Sequence, residues 1–176
     1  MNKVPIYTSL AEPGQAVLIA NLARKTFLET YGETGNSENL QLYVDAHFTE
    51  ENIRNELSNP DFRFFIAWIN HNAVGFTKIR KDRIPKGITG KNCLEIQRIY
   101  VLQEYQGFSV GKELIAIIKK IALEENSQVI WLQVWQKNVK TIQFYQKSGF
   151  VVYETCSFDF GKEIHQDFLL RFDLYN

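Results

Sequence analysis

A chain of 176 residues and 20.5 kDa is long enough for one domain, and folding at that size buries roughly 70% of the surface of the unfolded chain. Hydrophobic residues at 45% and aromatics at 14%, thirteen Phe among them, exclude a disordered, collagen-like or coiled-coil chain. Twenty basic and twenty acidic residues cancel, which removes the bulk electrostatic case for nucleic-acid binding.

Ile6 to Leu10 has strand character, and Gln15 to Tyr31 places Val17, Leu18, Leu22, Ala23, Phe27 and Tyr31 at helical spacing behind the breaker pair Pro13-Gly14. Ser37 and Thr49 open two more helices as hydroxyl N-caps. Phe62 to Asn70 and Ala73 to Ile79 read as a hairpin turned at Asn70-His71-Asn72, followed by a mobile basic loop from Arg80 to Asn92. Leu94 to Val101 is a strand, Val110 to Glu125 a helix and Val129 to Val134 a strand. Asn138 to Lys147 is a helix stopped by Gly149, and Phe150 to Tyr153 and Asp167 to Leu174 are the last strands. No repeat or Pro/Ser linker interrupts the chain, so one domain is expected, of the α+β class, with a mixed, mostly antiparallel sheet flanked by helices.

Charge is distributed unevenly. From Glu29 to Asp61 there are eight acids (Glu29, Glu33, Glu38, Asp45, Glu50, Glu51, Glu56, Asp61) and one base, Arg54. From Phe62 to Lys112 there are nine bases and three acids. The two readings are solvated faces, or one segment that attracts a cation and another that attracts an anion. Cys93 and Cys156 are too few for a disulfide framework or a four-cysteine zinc site. No run approaches the ~20 apolar residues of a membrane span, and a cytoplasmic protein without membrane partners is expected. His47, His71 and His165 fall on separate elements, so neither a metal site nor a Ser/His triad is supported.

The strongest local signal is the strand Leu94-Glu95-Ile96-Gln97-Arg98-Ile99-Tyr100-Val101, a short loop, and then Gln106-Gly107-Phe108-Ser109-Val110-Gly111-Lys112 at a helix start. Small residues at 107, 109 and 111 let the backbone approach a ligand, and unpaired N–H groups at a helix start favour a phosphate or pyrophosphate. The P-loop pattern fails because Gly107 to Gly111 is one residue short and Lys112 is followed by Glu113 in place of a hydroxyl. A structural turn without a ligand is the competing reading.

A second cluster, Asn138-Val-Lys-Thr141-Ile-Gln-Phe144-Tyr145-Gln-Lys147-Ser-Gly149-Phe150, completes a pattern. Together the two resemble the GNAT superfamily of N-acetyltransferases, and the chain looks most like its bacterial spermidine/spermine (polyamine) members. Thr26-Phe27, Thr30-Tyr31, Asn36-Ser37-Glu38-Asn39, Glu56-Leu57-Ser58-Asn59, Val134-Trp135 and Ser157-Phe158 carry the likeness beyond the motifs. The resemblance implies the acyl-CoA N-acyltransferase fold, acetyl-CoA as cosubstrate and no metal. It implies that main-chain groups of Ile99, Tyr100 and Val101 hold the pantetheine arm and that Gln106, Gly107, Phe108, Ser109, Val110, Gly111 and Lys112 hold the pyrophosphate. Asn138, Thr141 and Lys147 join them as CoA contacts, and Tyr145 touches the CoA arm and protonates the departing thiolate. One residue departs from the family pattern: Ser109 stands where the middle glycine is expected; a serine N–H still faces a phosphate if φ stays negative, whereas a glycine-only conformation there would weaken CoA binding.

An alkylammonium of pKa near ~10.4 must lose its proton before it attacks, at a cost of roughly 4 kcal/mol near pH 7. Glu95 is the candidate acceptor, the alternative being a carboxylate paired with a nearby base. The acidic segment, with Tyr31, Tyr43 and Phe48 among its carboxylates, suits a polycation, and Tyr31, Trp68 and Trp135 are candidates to line the acceptor slot. The expected reaction is direct acetyl transfer to a small-molecule primary amine, by a monomer or homodimer. The alternatives are a peptide or protein amine as acceptor, or a non-catalytic CoA-binding regulatory module.

Overall fold

A computed structural model describes residues 4–32, 37–160 and 163–175. Among the described residues seven strands and five α-helices follow the expected order: β1 (Tyr7–Leu10), α1 (Ala16–Tyr31), α2 (Ser37–His47), α3 (Glu50–Leu57), β2 (Phe62–Ile69), β3 (Asn72–Arg80), β4 (Cys93–Val101), α4 (Val110–Glu124), β5 (Val129–Trp135), α5 (Val139–Lys147), β6 (Val151–Phe160) and β7 (Glu163–Asp173). The chain groups into two compact units, one of residues 1–78 with 98–114, the other of residues 79–97 with 115–176. β3, β4 and α4 contribute residues to both.

In the first unit the strands run in the order β1-β2-β3-β4, with β1 antiparallel to β2 from Tyr7 opposite Trp68 to Leu10 opposite Phe65. Asn70 and His71 both take positive φ, 48° and 65°, which is how a two-residue turn matches the twist of the strands it joins. α1 buries Ile19, Leu22, Ala23, Thr26 and Phe27, and Thr26 satisfies its hydroxyl by donating to Leu22 O at 2.7 Å. Thr49 caps α3 as expected, accepting from Asn52 N–H at 3.1 Å. α2 begins at Ser37, whose side chain, like Glu33, lies outside the described residues, so its role as cap does too. A cluster of Ala67, Ile69, Val74, Val110 and Leu114 forms the core under β4, with Ile99 and Val101 packed on it.

In the second unit the order is β4-β5-β7-β6. β4 and β5 pair in parallel, Glu95 opposite Trp131, whereas β5–β7 and β6–β7 are antiparallel. The last hairpin is much longer than the sequence reading allowed. β6 continues past Tyr153 because Thr155-Cys156-Ser157-Phe158-Asp159-Phe160 alternates, placing Cys156, Phe158 and Phe160 on the more buried side. Its core is Ile88, Cys93, Val129, Trp131 and Leu169. Ile88 comes from the basic loop, so that loop is in part core and is tied down by Lys86, whose ammonium donates to Thr155 O.

Candidate active site

The turn before α4 has the features of an anion seat. Gly107 takes φ of 90° with open space where a side chain would project, and Ser109 takes φ of 71°. The φ of Ser109 is thus positive, not the negative value expected to suit a serine, and the residue adopts the left-handed conformation a glycine would supply. The cost is a local strain of about 1 kcal/mol. Glu113 N–H donates to Ser109 O, so the N–H groups of Val110, Gly111 and Lys112 precede the helical ladder and stay available for an anion. Gln106 ties the turn to its strand by donating to Val101 O at 3.4 Å, and Phe108 is exposed.

The strand that precedes the turn is shaped by a residue the sequence reading passed over. A Cβ on Gly75 would lie 2.7 Å from Tyr100 O, so only glycine lets β3 approach the Ile99-Tyr100-Val101 backbone. Tyr100 packs its ring on Phe27 and Phe76, in the cluster that holds Tyr31 and Tyr43 against Phe27.

On the second unit, Asn138 caps α5, accepting from Thr141 N–H at 3.3 Å. The other end of α5 fixes Tyr145. Gly149, with φ of 94°, closes a Schellman motif in which Phe150 N–H donates to Tyr145 O and Gly149 N–H to Gln146 O, both at 3.0 Å. The Phe150 ring then packs edge-on against the Tyr145 ring at 5.6 Å, and Lys119 Nζ donates to Ser148 O at 2.8 Å. Tyr145 is consequently 5% exposed and held from its backbone outward. Lys147 occupies the last turn of the same helix.

Glu95 is 2% exposed and lies in ion pairs with Arg83 at 3.1 Å and Arg80 at 3.8 Å, the paired arrangement that was the alternative to a free base. Trp135 stacks on His165 with ring centroids 4.7 Å apart. Trp68 stacks on Tyr7 and donates to Ser9 at 2.9 Å, and so fastens β1 to β2. The acidic segment is also less open to a polycation than its composition suggests. Asp45 is paired with Arg24, Glu50 with Arg54, Glu29 with Lys25, and Glu56 with both Lys78 and Arg98. Among the described residues no group of three or more His, Cys, Asp and Glu is placed to hold a metal ion, and no helix is long and apolar enough to cross a membrane.

A mixed sheet of this order, with a turn of two positive-φ residues leading α4, is the arrangement expected of the acyl-CoA N-acyltransferase fold. The model of the acetyltransferase (GNAT) family matches residues 19–150, and the chain belongs to that family. An uncharacterized N-acetyltransferase of Lactobacillus delbrueckii is 27% identical over 150 residues, covering 85% of this chain and 87% of that protein. The spermidine N(1)-acetyltransferase of Thermoplasma acidophilum is 27% identical over 149 residues, 82% of this chain and 88% of its own. Among solved structures, the PaiA N-acetyltransferase of T. acidophilum in complex with coenzyme A superposes with a TM-score of 0.80 at 24% identity, covering 96% of this chain and 99% of that one. SpeG, a spermidine/spermine N-acetyltransferase of Vibrio cholerae, gives 0.69 at 18% identity over 96% and 94% of the two chains. The protein is an acetyl-CoA-dependent N-acetyltransferase.

Proposed function

We propose that the protein acetylates a primary amine of a small polycationic molecule, a polyamine such as spermidine or spermine, by direct attack of the amine on the acetyl group. The transfer reading is carried by the turn before α4, where Gly107 and Ser109 both take positive φ and leave the helix-start N–H groups for a pyrophosphate. The polyamine reading is supported by the 27% identity to a spermidine N(1)-acetyltransferase over most of both chains. Ser109 takes the positive φ that favours glycine, at a cost of about 1 kcal/mol for a residue with a Cβ, so the serine by itself is a weak argument for a non-catalytic CoA-binding module.

Acetyl-CoA supplies an acetyl group activated as a thioester. In this reading the main chain of Ile99 to Val101 binds the pantetheine arm, Gln106 to Lys112 bind the pyrophosphate, and Asn138, Thr141 and Lys147 add polar contacts. Tyr145, fixed by the Schellman motif, donates its hydroxyl proton toward the departing sulfur. Glu95, held by its ion pairs with Arg83 and Arg80, accepts the ammonium proton through water. Tyr31 and Trp135 offer rings to the acceptor. Burial pushes the thiols of Cys93 and Cys156 up, so both stay protonated at neutral pH and an acyl-cysteine route is disfavoured.

The test is thiol release from acetyl-CoA with spermidine, spermine, putrescine and a lysine peptide, with CoA binding measured by calorimetry on the same sample. Polyamine-dependent release supports the reading; release with the peptide alone moves the acceptor, and CoA binding without release leaves a non-catalytic module. Replacing Tyr145 with Phe is expected to lower kcat by about 100-fold or more while CoA affinity holds. An unchanged rate removes Tyr145 as the acid.

A further inference from the structure

Asp167 is a buried carboxylate without a cation. It sits on β7 directly opposite Trp135 of β5, so the two side chains share one face of the second unit's sheet. One carboxylate oxygen, Oδ2, accepts from Gln133 Nε2 at 2.9 Å; the other, Oδ1, is buried and has no hydrogen-bond partner. The residue is 6% exposed, and among the described residues no Lys, Arg or His lies within ion-pair distance of it. Glu95, on the same face opposite Trp131, has two guanidiniums for its charge. Desolvation accordingly raises the Asp167 pKa above the usual carboxylate value, with the Gln133 hydrogen bond and the charge of nearby His165 only partly offsetting it.

A carboxylate held in this state costs stability, and packing supplies no compensation for it. What surrounds it indicates which ligand would. Trp135 stacks on His165, and His165 on Phe160 with centroids 5.0 Å apart, which lines the neighbourhood with aromatic faces. Trp135 already carries Lys137 Nζ 5.6 Å from its ring centre, so the ring attracts an ammonium where one is within reach. One open carboxylate oxygen beside π faces matches an organic cation. A hard metal ion asks for several more oxygen ligands, and an anion would be repelled.

We propose that Asp167, oriented by Gln133 and backed by Trp135, binds an ammonium group of the acceptor amine. The assignment rests on the acetyl-transfer reading for what the amine does, though not for whether it binds. The ammonium donates to Oδ1, satisfying the one acceptor left open, and its methylene neighbours lie along the Trp135 ring, whose partly exposed side chain yields to admit it. Amines with a second ammonium are then favoured over neutral amines of the same length, with no call on the acids of α2 and α3, several of which have intramolecular cations.

The experiment is calorimetric binding of spermidine to the full chain, without acetyl-CoA, for the wild type and for Asp167→Asn, with CoA binding in parallel. The neutral isostere is expected to weaken spermidine by about tenfold or more, to leave CoA affinity within about twofold, and not to lower Tm. Equal spermidine affinity in the two proteins overturns the proposal, as does a wild type that binds no spermidine. If Asp167→Asn does not fold, Gln133→Leu keeps the charge and frees its orientation, and should weaken spermidine by about threefold; unchanged affinity there overturns the proposal as well. Spermidine binding that depends on Asp167, combined with no thiol release by the wild type, keeps the site and sinks the transfer reading.

Discussion

Glu56 and Asp167 are acids of similar chemistry in opposite circumstances, one in each unit. Glu56 receives a two-pronged guanidinium from Arg98, at 2.7 and 3.3 Å, and the Lys78 ammonium at 2.7 Å. Those cations rest on ring faces, Lys78 4.0 Å from the Phe62 centroid and Arg98 5.0 Å from that of Phe48. Asp167 has one amide and, among the described residues, no ion-pair partner, with His165 acting on it only at longer range. Glu56 is therefore a structural charge, held by the cations beside it, whereas Asp167 keeps one carboxylate oxygen without a partner, a cost that a proton or a bound cation relieves. The charge arithmetic of the chain cannot distinguish the two, because it counts both as acids.

The largest effect expected from this contrast is on Glu56. With Lys78 only 1% exposed, Glu56→Ala leaves two cations in a poorly solvated place and should cost about 3 kcal/mol in urea unfolding. Adding Lys78→Met to that variant should recover part of the loss, because it removes one stranded charge. A loss under about 1 kcal/mol would place Glu56 among the surface pairs and erase the distinction.

Asp167 should respond with the opposite sign, and pH reveals it. Its folded pKa is raised by burial, so the folded protein binds the proton more tightly than the unfolded chain. Stability from this group is present below the ordinary carboxylate value and is lost as pH rises through the raised folded value. Asp167→Asn should therefore match the wild type at acid pH and be at least as stable at neutral pH, the gap opening across that window in urea midpoints. A variant less stable at neutral pH than at acid pH, relative to wild type, would make Asp167 a structural residue like Glu56.

How much of this was legible follows from the same distinction. Periodicity and turn residues located the five α-helices of the described residues and the β2–β3 hairpin, and the Gly107–Gly111 and Asn138–Gly149 spacings marked the turn before α4 and the tyrosine helix, because local chemistry dictates both. Pairing across long separations was not legible. Lys78 and Arg98 lie 22 and 42 residues beyond Glu56 in the chain, and nothing local announces that they consume its charge. Gln133 meets Asp167 only because β5 and β7 are neighbours in the sheet. Gly75 carries no local signal, because its need for glycine comes from the Tyr100 carbonyl on the neighbouring strand. The extension of β6 could have been read, since Cys156, Phe158 and Phe160 alternate with polar residues, but its exposed edge dilutes the apolar signal.

Ser109 extends the comparison from side chains to the main chain. Like Asp167 it holds a local cost at a place where a ligand is expected, here a backbone φ of 71° on a residue with a Cβ. Ser109→Gly should remove about 1 kcal/mol of strain, offset in part by the greater freedom of glycine in the unfolded chain, and raise Tm by about 1–2 °C. CoA affinity should hold within about twofold, because the conformation that presents the N–H groups is already adopted by the serine. If CoA binds several-fold more weakly to the glycine variant while Tm rises, the hydroxyl itself contacts the cosubstrate, and the serine is a gain in recognition at this position and not a tolerated replacement of glycine.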